Sequence, residues 1–471
     1  MEILFYRYGS ICEPDIINCF RSMELDVVEE TSQVTDKKVT PSETVSAVSE
    51  LIKKHSFLFV FSVNFFPAVS DICRIYKMPY VCWTVDCPVM ELFSPALAND
   101  CNRVFMFDKT QYEYFRHVNP ERIFHLPLAT NVSRWDRVIS QAASKDLEHF
   151  SSDISFIGSL YAEKDPYVKI KGLSEYTKGY VEGMIEAQLQ VYGYNMLEDL
   201  LNAHPTDTQG QSAAFDVSTD SQKQPTAFNV STDGQEQSAA FNVSTDSQKQ
   251  SATFSLHNSK IQEPHLFDGL HNTKNQETHF SPVMRDFMEH VPDLKESPYA
   301  PYFSPSYIMA HHFIGMHAAV EERHRLLSML SEHHSVDLYT FSDTSSLPNV
   351  RNRGGAKTLT QMPLIFHQSR VNLNMTIRPI QTGLSLRVFD ILGCGGFLLT
   401  NYQQELGELY EIGKDVEVFT SKEELAEKAA YYLTHEEARQ KIAKSGYEKT
   451  RALHTYETRI GQMIRIIFQT I

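Results

Sequence analysis

Apolar and polar positions alternate through Val371 to Thr376, VNLNMT, with the period of a strand. A polar turn follows from Arg378 to Gly383. Leu384 to Cys394 is apolar almost all round and predicts a buried helix. Its two charges, Arg387 and Asp390, fall with Gly383 at i, i+4 and i+7, on one face near the helix start. Gly395 and Gly396 stop the helix, and Phe397 to Thr400 opens a new strand. The unit aims a polar stripe at a helix N-terminus, where free N–H groups and the dipole suit phosphate. An Arg–Asp pair at i, i+3 would add only about 0.2–0.5 kcal/mol, too little to explain two charges in a buried helix.

Residues 1 to about 150 alternate short apolar strands with helices. Ile3 to Tyr6, Phe57 to Ser62, Tyr80 to Val85, Arg103 to Phe107 and Arg122 to His125 read as strands. Pro14 to Met23, Val45 to Lys54 and Pro67 to Tyr76 read as helices. The alternation predicts a doubly wound parallel sheet, with ligands at the carboxyl ends of its strands. Asn64, Asp86 and Asp108 fall at such ends. In WTVDCP, Asp86 is either a turn or cap residue or a carboxylate that orients or deprotonates a hydroxyl. Trp83 reads as core.

A second α/β pattern starts at Asp153, where Ile154 to Ile157 runs into Gly158-Ser159. A glycine there lets a ligand approach the backbone, and Lys164 lies within reach of a phosphate. Tyr176 to Asn202 predicts a long helix. Phe215, Phe228, Phe241 and Phe254 then recur every 13 residues in units such as QSAAFNVSTDSQK. Such a unit cannot bury a core, so residues 203–280 are expected to form a disordered insert. Ile308 to His333 predicts a long helix whose Glu321, Glu322 and Arg323 are expected in solvent. Val336 to Thr340 is a strand and Met362 to Gln368 a short helix. Thr420–Glu423 and Ser421–Glu424 both fit a capping box, Thr434–Glu437 repeats the pattern, and Gly446 is expected to end that second helix. The last helix carries an apolar stripe, Tyr456, Ile460, Met463, Ile464, Ile467 and Phe468, which must dock, most simply on the first domain.

At 471 residues the chain exceeds one core, so two domains are expected. The net charge of −16 argues against nucleic acid or an anionic membrane as main partner. Seven cysteines without a CxxC, behind an MEILFYRYGS start, predict reduced thiols and a cytoplasmic protein. The longest apolar run, Phe57 to Phe66, is too short to span a bilayer, which leaves peripheral contact open. No zinc, calcium or Walker spacing occurs, and the His pairs 311/312 and 333/334 lack ligand spacing, so no metal is assigned.

ISFIGSLY, VDLYT, RVNLNMTIRP, LRVFDILGCGGFLLTNY and YYLTHEEARQKIAKSGYEKTRALHTYETRI together resemble the CgeB-like, spore-maturation type glycosyltransferases. WTVDCP, FMFDKTQYEYF and LPLATNVSRWD resemble the domain of unknown function that precedes that domain in such chains. The resemblance implies a GT-B fold, two Rossmann-like domains facing a cleft. The first would span 1–150 and take the acceptor. The second, 151–450, would bind a nucleotide-sugar donor and carry the insert, with a final helix at 451–471. RVFDILGCGG is similar to the segment where related retaining enzymes place an acidic residue for the donor ribose, here Asp390. Eight residues earlier, where those enzymes carry a second carboxylate, this chain has Thr382. GSLYAEK is similar to a segment whose Arg and Lys hold the donor pyrophosphate; Lys164 matches the Lys and Ser159 replaces the Arg. Arg378 or Arg387 would then supply the missing charge.

The expectation is a metal-independent glycosyltransferase with no cofactor beyond its nucleotide-sugar substrate. Its donor-side candidates are Gly158, Ser159, Lys164, Asn374, Arg378, Gly383, Leu384, Ser385, Arg387 and Asp390. Asp86 is the acceptor-side candidate, for a glycan, protein or small molecule. Two alternatives stand beside it: a catalytically inactive sugar-nucleotide-binding or envelope-assembly protein, and a sugar-nucleotide epimerase on the same fold.

Overall fold

The computed structural model describes residues 1–36, 38–203, 239–241, 252–254 and 280–470. Two compact units divide the chain: residues 1–203 with 270–471, and residues 204–269. Most of the 13-residue repeats lie outside the described residues. In the smaller unit, Ala239–Phe241 pairs antiparallel with Ala252–Phe254.

The larger unit holds two parallel six-stranded sheets, the arrangement of two Rossmann-like domains expected of a GT-B chain. The first sheet contains β1 (Glu2–Tyr6), β2 (Asp26–Glu30), β3 (Phe57–Val63), β4 (Tyr80–Trp83), β5 (Asn102–Met106) and β6 (Ile123–His125). Their order is β2-β1-β3-β4-β5-β6. With β8 and β9 the pair at 239–241 and 252–254, the second sheet contains β7 (Ser152–Ile157), β10 (Val336–Tyr339), β11 (Arg351–Asn352), β12 (Ser369–Asn374), β13 (Leu398–Asn401) and β14 (Glu417–Phe419). Its order is β11-β10-β7-β12-β13-β14. All pairings within the two sheets are parallel.

In each sheet the chain moves outward to one side and then returns to the other. The reversal falls between β1 and β3 in the first sheet, and between β7 and β12 in the second. A crevice opens at the carboxyl ends of strands at such a reversal, because the adjoining loops diverge there. Strands with helices on both faces must be apolar on both faces. FLFVFSV in β3 meets that demand and is buried along nearly its whole length.

Several helices differ from the sequence expectation. The stretch predicted as one helix from Tyr176 breaks into Glu175–Leu189 and Leu197–Asn202, with Gly193 at φ 76° between them. That left-handed backbone is accessible to glycine at little cost. The long helix near Ile308 runs as Pro305–Ile308, a π-helical turn Met309–Ile314, and Gly315–His333. Ser421 caps its helix as expected, by accepting the Glu424 N–H. Thr434 caps nothing; its hydroxyl donates to Ala430 and Tyr431 carbonyls of the preceding helix. Gly446 does not end a helix but lies inside Glu436–Leu453, where a Cβ would strike the Asp415 carbonyl. Its smallness serves packing and not termination.

The final helix, Tyr456–Thr470, lies on the first domain. Tyr456 meets the buried Trp83 ring edge-on at 6.2 Å, and Arg459 donates to the Pro127 carbonyl at 3.1 Å. Tyr456, Ile460, Met463 and Ile467 are buried. Phe468, counted in the stripe, is 55% exposed. Trp83 is core, its indole N–H donating to the Leu126 carbonyl. All seven cysteines are free and buried. Among the described residues no helix is long and apolar enough to cross a membrane.

Candidate functional site

The reversal in the second sheet brings together the loops after β7 and β12. Gly158 follows β7 and donates its N–H to Tyr339 O; a Cβ there would press on the Phe156 ring at 3.3 Å. Ser159 donates its hydroxyl to Glu163. Tyr161 sits at φ 64°, a left-handed conformation that is uncommon for a bulky residue and costs free energy. Lys164 is exposed at the outer rim of this loop.

A guanidinium does fill the crevice, from a residue the sequence reading placed in solvent. Arg323, on Gly315–His333, is 7% exposed. It donates to Ser159 O at 2.6 Å and Met375 O at 2.8 Å, so it bridges the ends of β7 and β12. Its plane lies 4.5 Å from the Tyr161 ring centre. Its Nε is buried without a partner. A signal existed: Arg323, Leu326, Leu327 and Leu330 are spaced i, i+3, i+4, i+7, so Arg323 lies on the buried stripe. Glu322, also read as solvated, is buried and pairs with Arg378 at 2.7 Å.

That pair changes the standing of Arg378. Its guanidinium also donates to Val191 O and stacks on Tyr192 at 4.5 Å, so protein groups neutralise and hold it. Asn374 is likewise occupied, donating to Thr376 and Thr400 hydroxyls and tying β12 to β13. Leu384 is buried in the core. Residues 193–195, 376–378, 380, 381, 401 and 403 line a hollow of about 10 Å³. That is room for about one water, whereas ligand pockets run to several hundred Å³.

The helix predicted from Leu384 runs Leu386–Gly393. Ahead of it, the N–H groups of Gln381, Thr382 and Gly383 all donate to one oxygen of Asp108, at 2.8, 2.9 and 2.9 Å. The other Asp108 oxygen caps Lys109–Phe115 through Gln111 N–H. A Cβ on Gly383 would lie 2.8 Å from the Asp108 Cα, so only glycine admits this approach. Beside it, buried Glu405 accepts from Lys109 N–H and the Thr382 hydroxyl and lies 2.9 Å from His125 Nε2. The phosphate-like place at residues 381–383 is thus held by a carboxylate of the first domain. Asp108 fell among the polar strand ends in the sequence, but its partner 275 residues away left no local signal.

Arg387 and Asp390 share the helix and part company. Asp390 is buried and accepts the Thr130 hydroxyl at 2.7 Å; the Trp135 indole donates to the same Thr130 oxygen. Burial raises its pKa to about 6, against a smaller lowering by Arg387. Arg387 is partly buried, donates to the Met362 thioether and lies 5.4 Å from the Phe366 ring centre. Ser385 stands at the N-cap with no side-chain cap hydrogen bond, and its Oγ is buried without a partner.

In the first domain the reversal places Tyr8 after β1 and Asn64 after β3. Asn64 adopts φ 59°. Its amide donates to Tyr8 Oη at 2.9 Å and to Asp86 Oδ2 at 2.7 Å, while its carbonyl accepts the Val85 N–H. Asp86, after β4, is exposed. The three side chains form one polar cluster at the crevice mouth. Tyr8 was missed by the sequence reading because nothing in YRYGS distinguishes one tyrosine from the other.

Residues 323–465 match the glycosyl transferase-like family model. The matched stretch begins at Arg323 and includes the loops after β12 and the helix carrying Arg387 and Asp390. No curated protein matches the chain. Among solved structures, Anabaena HepE in complex with UDP-glucose is similar at 9% identity and TM-score 0.48, covering 100% of both chains. A glycosyltransferase from Rickettsia africae is similar at 9% identity and TM-score 0.49, covering 100% of this chain and 98% of its own. Sucrose-phosphate synthase from Thermosynechococcus elongatus is similar at 10% identity and TM-score 0.47, covering 100% of both.

Proposed function

We propose that the protein is a glycosyltransferase that moves a sugar from a nucleotide-sugar donor to a hydroxyl-bearing acceptor without a metal ion. The observation that carries this reading is the family match over 323–465, whose residues supply one whole side of the crevice between β7 and β12. The donor diphosphate would lie between the Gly158 loop and the uncapped start of Leu386–Gly393. Leaving-group charge developing there meets N–H groups and guanidinium, the main electrostatic task in transfer without a metal. Asp390 would receive the ribose hydroxyls, once its bond to Thr130 is exchanged. Asp86, oriented by Asn64 and Tyr8, would face the acceptor hydroxyl and accept its proton.

Incubation with a panel of nucleotide sugars, with and without EDTA, tests the reading. The expected result is slow release of the nucleoside diphosphate that EDTA leaves unchanged. Release that EDTA abolishes would remove the metal-independent mechanism. No release from any donor, with binding retained, would make the protein a sugar-nucleotide-binding module.

A further inference from the structure

The crossover from β7 to β10 needs only one helix. About a dozen residues or more link parallel neighbours, and Gly315–His333 leads straight into β10. The chain between Gly158 and Ile314 is therefore surplus to the second sheet. Its described part does not stay on that sheet. Tyr307 lies against the first domain, its ring centre 5.3 Å from that of Phe93 and 4.7 Å from that of Tyr114. Phe303 meets Phe93 edge-on at 5.9 Å. Phe93, Phe303 and Tyr307 are all buried. Phe93 belongs to the turn Met90–Phe93, and Tyr114 to Lys109–Phe115, the helix that Asp108 caps.

Another part of the surplus grips the second domain beside its crevice. Gln404 donates to the Gly193 carbonyl at 2.7 Å, and Tyr192 meets Phe419 edge-on at 5.7 Å. Asn195 donates to the Arg378 carbonyl at 2.9 Å, and the Arg378 guanidinium returns a bond to the Val191 carbonyl at 2.8 Å. The two parts meet at buried His311. Its ring centre is 4.4 Å from that of Tyr307, and its two nitrogens lie 3.4 Å from Asn195 Nδ2 and from Glu198 Oε2. His311 sits in the π-helical turn Met309–Ile314, the kind of turn at which a helical run bends.

These contacts add a third tie between the domains. The chain already crosses once between β6 and β7 and again at the final helix. Domains joined by such crossings move on each other by default, unless a sizeable apolar interface holds them. Each aromatic side chain covers about 150–250 Å² when buried. Parting the domains at Tyr307 would expose apolar surface to water on both sides at once.

We infer that residues 165–203 and 280–314 form a strap that holds the two domains closed, with Tyr307 as its latch against Phe93 and Tyr114. Opening of the crevice requires Tyr307 to leave that seat, while Val191, Gly193 and Asn195 keep their grip on the second domain. The strap closes the domains whatever the crevice binds.

Distances between spin labels on the full-length protein, with no ligand added, test it. All seven native cysteines are buried, so labels go to Glu50→Cys on Pro41–Lys54 and Glu423→Cys on Lys422–Thr434, both exposed. The labelled chain is expected to give one narrow distance distribution. Tyr307→Ala, and Tyr114→Ala from the first-domain side, are each expected to raise the population outside that distribution about tenfold or more. Tyr176→Ala, which alters an exposed tyrosine of the strap, leaves it unchanged. If Tyr307→Ala fails to fold, Tyr114→Ala alone decides. A labelled chain that already samples several distances, folded latch variants that keep the single one, or equal broadening in all three variants overturns the latch.

Discussion

Asp390 carries the clearest pH signature at the scale of a single residue. Burial raises its pKa from 3.8 to about 6. Between roughly pH 4 and pH 6 the folded chain keeps this proton and the unfolded chain has lost it. Stability is therefore fullest below that window and falls as pH rises through it, by up to about 3 kcal/mol. Asp390→Asn keeps an acceptor for the Thr130 hydroxyl and carries no charge. It should be more stable than wild type at pH 8 and no more stable near pH 4, as read by urea unfolding at both values. A cost that is the same at both pH values would assign the effect to the lost hydrogen bond instead. The same substitution is expected to weaken donor binding, so the native residue would accept lower stability for function. Residues such as Arg387 and Asp390 were legible because a charge in an apolar run stands out. Arg323 was less so, because an EERHR run looks like a solvated surface until its phase against Leu326, Leu327 and Leu330 is checked. Asp108 was illegible as a partner, since its three N–H donors come from the other domain.

Among elements, the approach of the 381–383 turn to the end of β5 sets how the two domains meet. Three N–H bonds to one carboxylate need the backbone of residue 383 almost in contact with Asp108, and the added methyl in Gly383→Ala would meet backbone atoms that cannot swing away. The expected cost is about 1–3 kcal/mol, measured by urea unfolding. Loss of those bonds should also free the turn, so amide exchange at 381–383 should quicken in the variant. The inner strands of both sheets were readable, because apolar runs of this length between helices leave few alternatives, but the edge strands β2, β11 and β14 were missed, being polar or only two or three residues long. Helix ends were less readable. Thr434 and Gly446 carry the residue types of a cap and a stop, yet Thr434 bonds back to its own helix and Gly446 is packed against the Asp415 carbonyl. The π-helical turn at Met309–Ile314 has no sequence signal that local pattern could supply.

For the whole molecule, both six-stranded sheets belong to the unit made of residues 1–203 and 270–471. The Ser281 hydroxyl donates to the Leu201 carbonyl at 3.5 Å, so the chain leaves and re-enters this unit at neighbouring points. A short loop closes such a gap at small entropic cost. Replacing 206–277 by a short Gly/Ser linker should leave the melting temperature within a few degrees of wild type; an insoluble product would show that the repeats are needed to fold. The two-sheet plan was legible from the alternation of elements.

One detail of that plan reaches further. Thr130, leaving the first sheet, takes up Thr455 in a parallel bridge, and its N–H and C=O bond His454 and Tyr456. The outgoing and homecoming connections between the lobes are thereby zipped together at one spot. Any rocking of one lobe on the other must turn about this seam, which lies one hydroxyl away from Asp390. A ligand that draws Asp390 off Thr130 would be pulling on the pivot itself.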